Sequence, residues 1–392
     1  MNTKQSVLLT GGRAPATLEL ARLLGSAGHR VIVAESARRH LCQHSRYIER
    51  SYQQVPPPRQ QPDAYIEKLC EIMQREGIDL LIPTCEEIFY VSQGRDQLLD
   101  YGEVLVEGIE VLRSLHDKWL FAEMAREVGA LVPHTVRVQS SAQLREAMLQ
   151  AGGPVVLKPV YSRFAAHVRI VADPLSAAGQ STLPEPTVGQ PWLVQQFIKG
   201  KQVCSYAVAL DGQLTLYADY ETTHTAGQGA SIYFAYSDHP QVRDFVSRFV
   251  QRHTFRGQIA FDFIENEQGE LYVIECNPRL TSGVHLFTGQ HDAATAYFSD
   301  RGKTVFPVGK QACMLGMAML TYGLAGMTNG EKAKRWVSDL LSARDALFRW
   351  DDPRPFFDQF SMLADLAWQS FRTGKSMIAC STSDIEWNGE EA

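Results

Sequence analysis

The stretch that most limits what this chain can be is a pair of short apolar runs, Ile259-Ala260-Phe261-Asp262-Phe263 and Leu271-Tyr272-Val273-Ile274-Glu275-Cys276-Asn277-Pro278-Arg279. The turn-forming residues 266–269 lie between them, so strands over 258–265 and 270–275 read as one hairpin. Residues two apart on a strand point to the same face. Glu275 and Asn277 therefore aim together, and the hairpin brings Asp262 alongside. Carboxylates and an amide on an apolar strand pair are costly unless a cation sits there. A few hard oxygen ligands suit Mg2+ that is also held by phosphates.

Ahead of this hairpin the pattern alternates. Residues 6–10, 31–34 and 78–82 read as strands, with helical periodicity after Gly12 and over 65–76, and Pro83 closing the third strand. Alternation of this kind implies parallel βαβ units, whose ligands gather at the carboxyl ends of the strands. Those ends carry Gly11-Gly12-Arg13 and Thr84-Cys85-Glu86-Glu87. Gly11-Gly12 lacks the glycines of a dinucleotide fingerprint. It reads either as a tight turn or, with Arg13 and the helix N-terminus, as a site for an anionic substrate group.

A helix is expected over 112–130, strands at 135–138, 155–158 and 192–197, and a loop over 172–190. A second hairpin is expected over 203–220 across Asp211-Gly212, then a helix over 240–253. The last ninety or so residues read as mostly helical, with amphipathic stretches at 312–322, 330–348 and 355–371.

The unit Ile274-Glu275-Cys276-Asn277-Pro278-Arg279 resembles the metal-binding signature of the ATP-grasp family, written E-x-N-P-R. The resemblance runs from about residue 112 to 289, and the βαβ region before it is similar to the family's N-terminal domain. It implies a Rossmann-like α/β domain over 1–110, two α+β ATP-grasp lobes over 111–190 and 191–300, and a helical extension over 301–392.

Further parts match one at a time. Lys118 and Lys158 resemble the family's two nucleotide lysines, and a lysine on a strand end is a compact cation for phosphate. Arg279 resembles the arginine that stabilises a transferring phosphoryl group. Val194-Gln195-Gln196-Phe197-Ile198 resembles the strand and linker that hold adenine, with Gln202 near the ribose; Gln195 and Gln202 stand where the family often has Glu. The family's glycine-rich flap after the second lysine is replaced by Tyr161-Ser162-Arg163-Phe164-Ala165-Ala166-His167. Without glycines there, Ser162 or Arg163 is expected to meet the phosphates. Ser282 and Gly283 resemble a turn offering backbone N–H groups to a substrate carboxylate. His224, in a segment where the family has a covering loop, either contacts substrate or is merely solvated. Glu86 and Glu87 either bind a substrate amino group or stabilise a helical turn.

The resemblance implies an ADP-forming carboxylate–amine ligase working through an acyl phosphate, using ATP with Mg2+, or Mn2+ in its place. Phosphorylation of an enol or of bicarbonate, and a non-catalytic nucleotide-binding role, remain as alternatives. The partners expected are a small carboxylate and an amine, with a homodimer left open. A net charge of −6 argues against nucleic acid as the main partner. The seven cysteines form no CxxC pair, which fits free thiols in a reducing compartment. No apolar run reaches the length of a signal core or a membrane span, so a soluble, cytoplasmic protein without membrane contact is expected.

Overall fold

The computed structural model describes residues 4–161, 168–177, 183–226, 230–299, 302–309, 312–324 and 330–389. Three main sheets carry the chain. The first has five parallel strands in the spatial order Arg50–Gln53, Arg30–Glu35, Ser6–Thr10, Leu80–Ile82 and Glu103–Val104. The helix Pro15–Ser26 connects Ser6–Thr10 to Arg30–Glu35, and Pro62–Glu76 connects the edge strand Arg50–Gln53 to Leu80–Ile82, as the alternating pattern implies. The edge strands Arg50–Gln53 and Glu103–Val104 were not legible: the first is polar and the second has two residues, so neither shows an apolar run.

The second sheet is antiparallel, in the order Thr135–Val138, Trp192–Gln196, Val155–Pro159, Arg169–Val171. Trp192–Gln196 thus belongs with the strands before it, and the chain passes to the third sheet between Gln196 and Gly200. That third sheet has seven strands. Leu271–Asn277, Gly257–Asn266, Gly200–Leu210, Gln213–Thr222 and Tyr233–Tyr236 come first, and Ala312–Met314 and Arg344–Asp345 complete it. The hairpin expected at 258–275 is present, turning at Asn266 with Gly269 at φ 77°.

Two helical expectations need correction. The helix over 112–130 is two helices, Ile109–His116 and Lys118–Glu127. Asp117 breaks it: its backbone is extended and its carboxylate accepts from the N–H groups of Trp119 and Leu120 at 2.8 and 3.0 Å, capping the second helix. The stretches 312–322 and 330–348 each contain a sheet strand as well as a helix: the short apolar run Ala312–Met314 joins the open edge at Tyr233–Tyr236, and the charged pair Arg344–Asp345 then adds to Ala312–Met314 through its backbone. The rest of the C-terminal region is mostly helical, with Gly330–Ser342 and Arg354–Thr373 as its long helices. No described helix is long and apolar enough to cross a membrane.

The C-terminal region is not an appendage. Arg22, on the first helix, is fully buried and donates to Asp352 Oδ2 at 2.9 Å and to the carbonyls of Ala346, Leu347 and Asp352. Trp387 is 1% exposed and belongs to the same apolar cluster as Leu8, Ile32, Leu81 and Phe89 beneath the parallel sheet.

Candidate active site

The three sheets meet around a cavity of about 570 Å³. It is bounded by Lys158, Gln195, Gln196, Phe197, Ile198 and Gln202, and by Asp262, Glu275, Asn277, Arg279 and Ser282. Residues far apart in sequence thus converge where the E-x-N-P-R resemblance expects a phosphate and metal site.

The hairpin register makes Asp262 and Glu275 direct cross-strand partners, with a bulge just after them, and sets Asn277 opposite Ala260. A register slip of one residue would turn the set away from the cavity. Asn277 Nδ2 donates to Asp262 Oδ2 at 3.3 Å, and Arg279 Nη2 donates to Asn277 Oδ1 at 3.1 Å. Burial, and then the charge of Glu275, push the Asp262 carboxyl up to about 6. Two facing carboxylates that destabilise each other this way are what a divalent cation would relieve. Among the described residues no three His, Cys, Asp or Glu side chains gather as a closed metal cage. Two carboxylates and an amide fit instead an ion that takes its remaining ligands from phosphates and water.

Two lysines approach this set, one from a helix and one from the second sheet. Lys118 opens its helix, is 4% exposed and places Nζ 3.7 Å from Glu275 Oε2. Lys158 is fixed by pairing with Leu193 on the neighbouring strand, and its Nζ reaches the Ile274 carbonyl at 3.5 Å. Burial pulls the Lys158 ammonium down to about 8, with the Glu275 charge opposing that shift and Lys118 adding to it. The ammonium thus sits in a place that favours an added anion.

Gln195 is buried and donates from Nε2 to Thr135 Oγ1 at 2.9 Å, while the Gln202 amide reaches Cys204 Sγ at 3.7 Å. Ser162 and Arg163 lie outside the described residues.

Several residues expected to meet substrate are engaged elsewhere. Arg13 borders the cavity, but its guanidinium pairs with Glu35 and with both carboxylate oxygens of Asp384. Glu87 accepts from Thr10 Oγ1 and from the N–H groups of Thr84 and Cys85, which makes it the cap of its own turn. Glu86 is fully buried and accepts from the Trp387 backbone N–H at 3.3 Å. Neither glutamate borders the cavity; the local hydrogen bonds fit the turn-stabilising reading for Glu87, whereas Glu86 is bonded to the distant segment around Trp387. His224 pairs with Asp339 at 2.8 Å, away from the cavity. Gly283 packs on Tyr206, where a Cβ would lie 2.4 Å from that ring's own Cβ, so its glycine serves packing.

Sequence reasoning missed two sets of cavity residues. His285 borders the cavity; it is 1% exposed, stacks on Phe234 and lies 3.7 Å from the buried Glu19. Ser381, Thr382 and Ile385 form another part of the wall. The acidic and aromatic residues Asp384, Glu386 and Trp387 close together in an otherwise polar stretch were the available signal.

Residues 115–283 match the family model of the ATP-grasp domain. The chain is 28% identical over 229 residues to the N5-carboxyaminoimidazole ribonucleotide synthase of Pseudomonas aeruginosa, covering 54% of this chain and 59% of that one. It is 25% identical over 274 residues to the carbamoyl phosphate synthase large chain of Methanothermobacter thermautotrophicus, covering 64% of this chain and 24% of that one. The chain therefore spans less than two thirds of the length of these relatives. Among solved structures it resembles the N5-carboxyaminoimidazole synthetase of Staphylococcus aureus complexed with ADP, with a TM-score of 0.62 at 16% identity, covering 83% of this chain and 86% of that one. That likeness bears out the fold expected from the sequence: a Rossmann-like parallel sheet followed by the two-lobed ATP-grasp architecture.

Proposed function

We propose that this chain, whose residues 115–283 form an ATP-grasp domain, is an ATP-dependent ligase that activates a carboxylate as an acyl phosphate and passes it to an amine. The observation that carries this reading is the convergence of Lys158, Asp262, Glu275, Asn277 and Arg279 on one cavity that also holds Gln196, Phe197 and Ile198. On this reading the Rossmann-like domain ends near residue 110, the two ATP-grasp lobes divide between Gln196 and Gly200 rather than near 190, and the region after 300 lends the second lobe the strands Ala312–Met314 and Arg344–Asp345.

The adenine would lie against Phe197 and Ile198, with backbone groups of 196–198 at its edge. Lys158 and Lys118 would hold the phosphates. Asp262, Glu275 and Asn277 would hold Mg2+, which would neutralise phosphate charge during transfer. An acceptor carboxylate oxygen attacks the γ-phosphorus, the bond to the β–γ bridging oxygen breaks, and ADP leaves. Arg279 would stabilise the charge spread over the transferred group. An amine then attacks the acyl carbon, inorganic phosphate departs, and the amine proton passes to solvent. The work of these residues is positioning and electrostatics, as phosphoryl transfer requires.

A second reading has bicarbonate as the group phosphorylated; the product named for the Pseudomonas aeruginosa relative, an amine nitrogen bearing a carboxyl, favours it. Both readings are tested by ADP release from Mg2+-ATP, with pooled organic acids or bicarbonate, each with and without pooled amines. ADP formed only when an organic acid and an amine are both present supports the ligase. ADP formed with bicarbonate in place of every organic acid moves the assignment to the second reading. Glu275→Gln serves as the inactive control.

A further inference from the structure

We propose that residues 381–387 are the specificity-determining wall of the acceptor pocket, and that they restrict it to a small carboxylate bearing no phosphate group. This inference rests on the ligase reading above and deepens it.

The sheet topology says where an acceptor would otherwise go. Strands Ser6–Thr10 and Leu80–Ile82 are neighbours, and the chain leaves them toward opposite edges of the sheet. Beyond the carboxyl ends of two such strands lies the crevice where open parallel sheets take ligands. Here a segment of the chain itself fills it. Trp387 stacks on Phe89 with ring centroids 4.5 Å apart. Asp384 places one carboxylate oxygen on each terminal nitrogen of Arg13, at 2.7 Å, and the Ser381 carbonyl accepts from Arg13 at 2.9 Å. Arg59 donates its backbone N–H to the Asp384 carbonyl at 3.0 Å, and its side chain pairs with Glu386 at 3.1 Å. Tyr90 donates to the Glu386 carbonyl at 2.9 Å.

The opposite side of this segment faces the chemistry. Ser381, Thr382 and Ile385 border the same cavity as Lys158, Glu275 and Arg279. The filled crevice shortens the acceptor end of a 570 Å³ space that the nucleotide already needs. Charge narrows the choice further. Of the described cations bordering the cavity, Lys158 and Arg279 stand with the metal set. Arg13 is shared by two carboxylates, Glu35 and Asp384, so a substrate phosphate arriving there would meet net negative charge. The acceptor's own carboxylate is left the Arg279 and Ser282 side.

The experiment compares full-length wild type with Thr382→Phe, which fills the pocket from a partly exposed position, and Ile385→Ala, which widens it. Calorimetry with Mg2+-ADP reports the nucleotide site, and ADP release reports the acceptor. Wild type is expected to turn over pooled small organic acids with amines and not 3-phosphoglycerate. Thr382→Phe is expected to raise KM for the acid by about tenfold or more, with Mg2+-ADP affinity unchanged, and Ile385→Ala to accept bulkier acids. Wild type that fails to bind Mg2+-ADP overturns the functional reading itself. With Mg2+-ADP bound, turnover of 3-phosphoglycerate overturns the wall, and so does an unchanged acid KM in Thr382→Phe. Should Thr382→Phe lose Mg2+-ADP binding through misfolding, the acid range of Ile385→Ala decides: wider supports the wall, the same as wild type sinks it.

Discussion

Asp262 and Glu275 face each other directly across an antiparallel hairpin, two carboxylates on a strand pair whose other face is built from Phe261, Phe263, Val273 and Cys276. Opposed residues of this kind have Cβ atoms only about 4.5–5.5 Å apart, where like charges repel. The pair is thus a standing cost in the protein without a bound cation, and the same geometry gives the cation its site.

Neutralising one member should therefore separate stability from binding. Asp262→Asn is expected to raise the melting temperature of the nucleotide-free protein, since it removes a charge that burial, and then the repulsion of Glu275, disfavour enough to lift the carboxyl to about 6. The same variant is expected to weaken Mg2+-ATP binding by about tenfold or more, as loss of one ligand of a small metal set does. Differential scanning calorimetry and titration calorimetry on one preparation check both. A lower melting temperature would contradict the account of the pair.

Lys158 offers the complementary test. Lys158→Met keeps the apolar stem and removes a buried ammonium that desolvation already disfavours. Stability should change little or rise, while nucleotide affinity falls by about tenfold to a hundredfold, the worth of a charge-assisted phosphate contact. Retained affinity would remove Lys158 from the phosphate site.

The buried pair between Arg22 and Asp352 should behave in the opposite way. Both are almost fully inaccessible, and the guanidinium also serves three carbonyls. Arg22→Met is expected to cost about 3–5 kcal/mol, because it leaves Asp352 buried without its partner. Urea unfolding would show it. Arg22→Met with Asp352→Leu should recover much of the loss, and a double variant no better than the single would argue against coupling.

Acid should act through Glu19. Burial alone would raise its carboxyl, but His285, Arg344 and the Thr288 hydroxyl overrule burial and draw it down to about 2. A carboxyl depressed from an ordinary value of 4.5 contributes stability that is complete above pH 4.5 and drains away as pH falls toward 2. The shift corresponds to about 3 kcal/mol. Glu19→Gln should lower stability near neutrality and flatten the acid limb of the curve, read as denaturation midpoints between pH 2 and 6. An acid limb as steep as wild type would assign the loss to other groups.

How much of this was legible depended on whether the signal was local. The hairpin with Asp262, Glu275 and Asn277 was, because period-two geometry fixes which side chains share a face. So was the placing of Lys158 on a strand end. What a residue is bonded to across the fold was not. Arg13, Glu86 and Glu87 sit at the strand ends that parallel sheets use for ligands, yet Asp384, the Trp387 backbone and a local turn occupy them. Nothing in the spacing of residues 13 and 384 announces such a contact. The short strands Ala312–Met314 and Arg344–Asp345 were hidden for a related reason: a three-residue or two-residue strand has no periodicity of its own and exists by joining a sheet edge.

The burial of Trp387 beside Phe89 and Leu8 also bears on how the chain reaches its native state. Synthesis delivers the strands of the parallel sheet about 300 positions before the side chain that completes this part of their core. Until then the pocket beside Phe89 lacks its stacking partner, and Glu86 lacks the N–H that it accepts from. Contacts that span about 300 positions carry the loop-closure entropy of nearly the whole chain. The parallel sheet is therefore expected to stay in a looser form until the segment around Trp387 has been made and docks, so that locking of this core and closure of the pocket wall are one event.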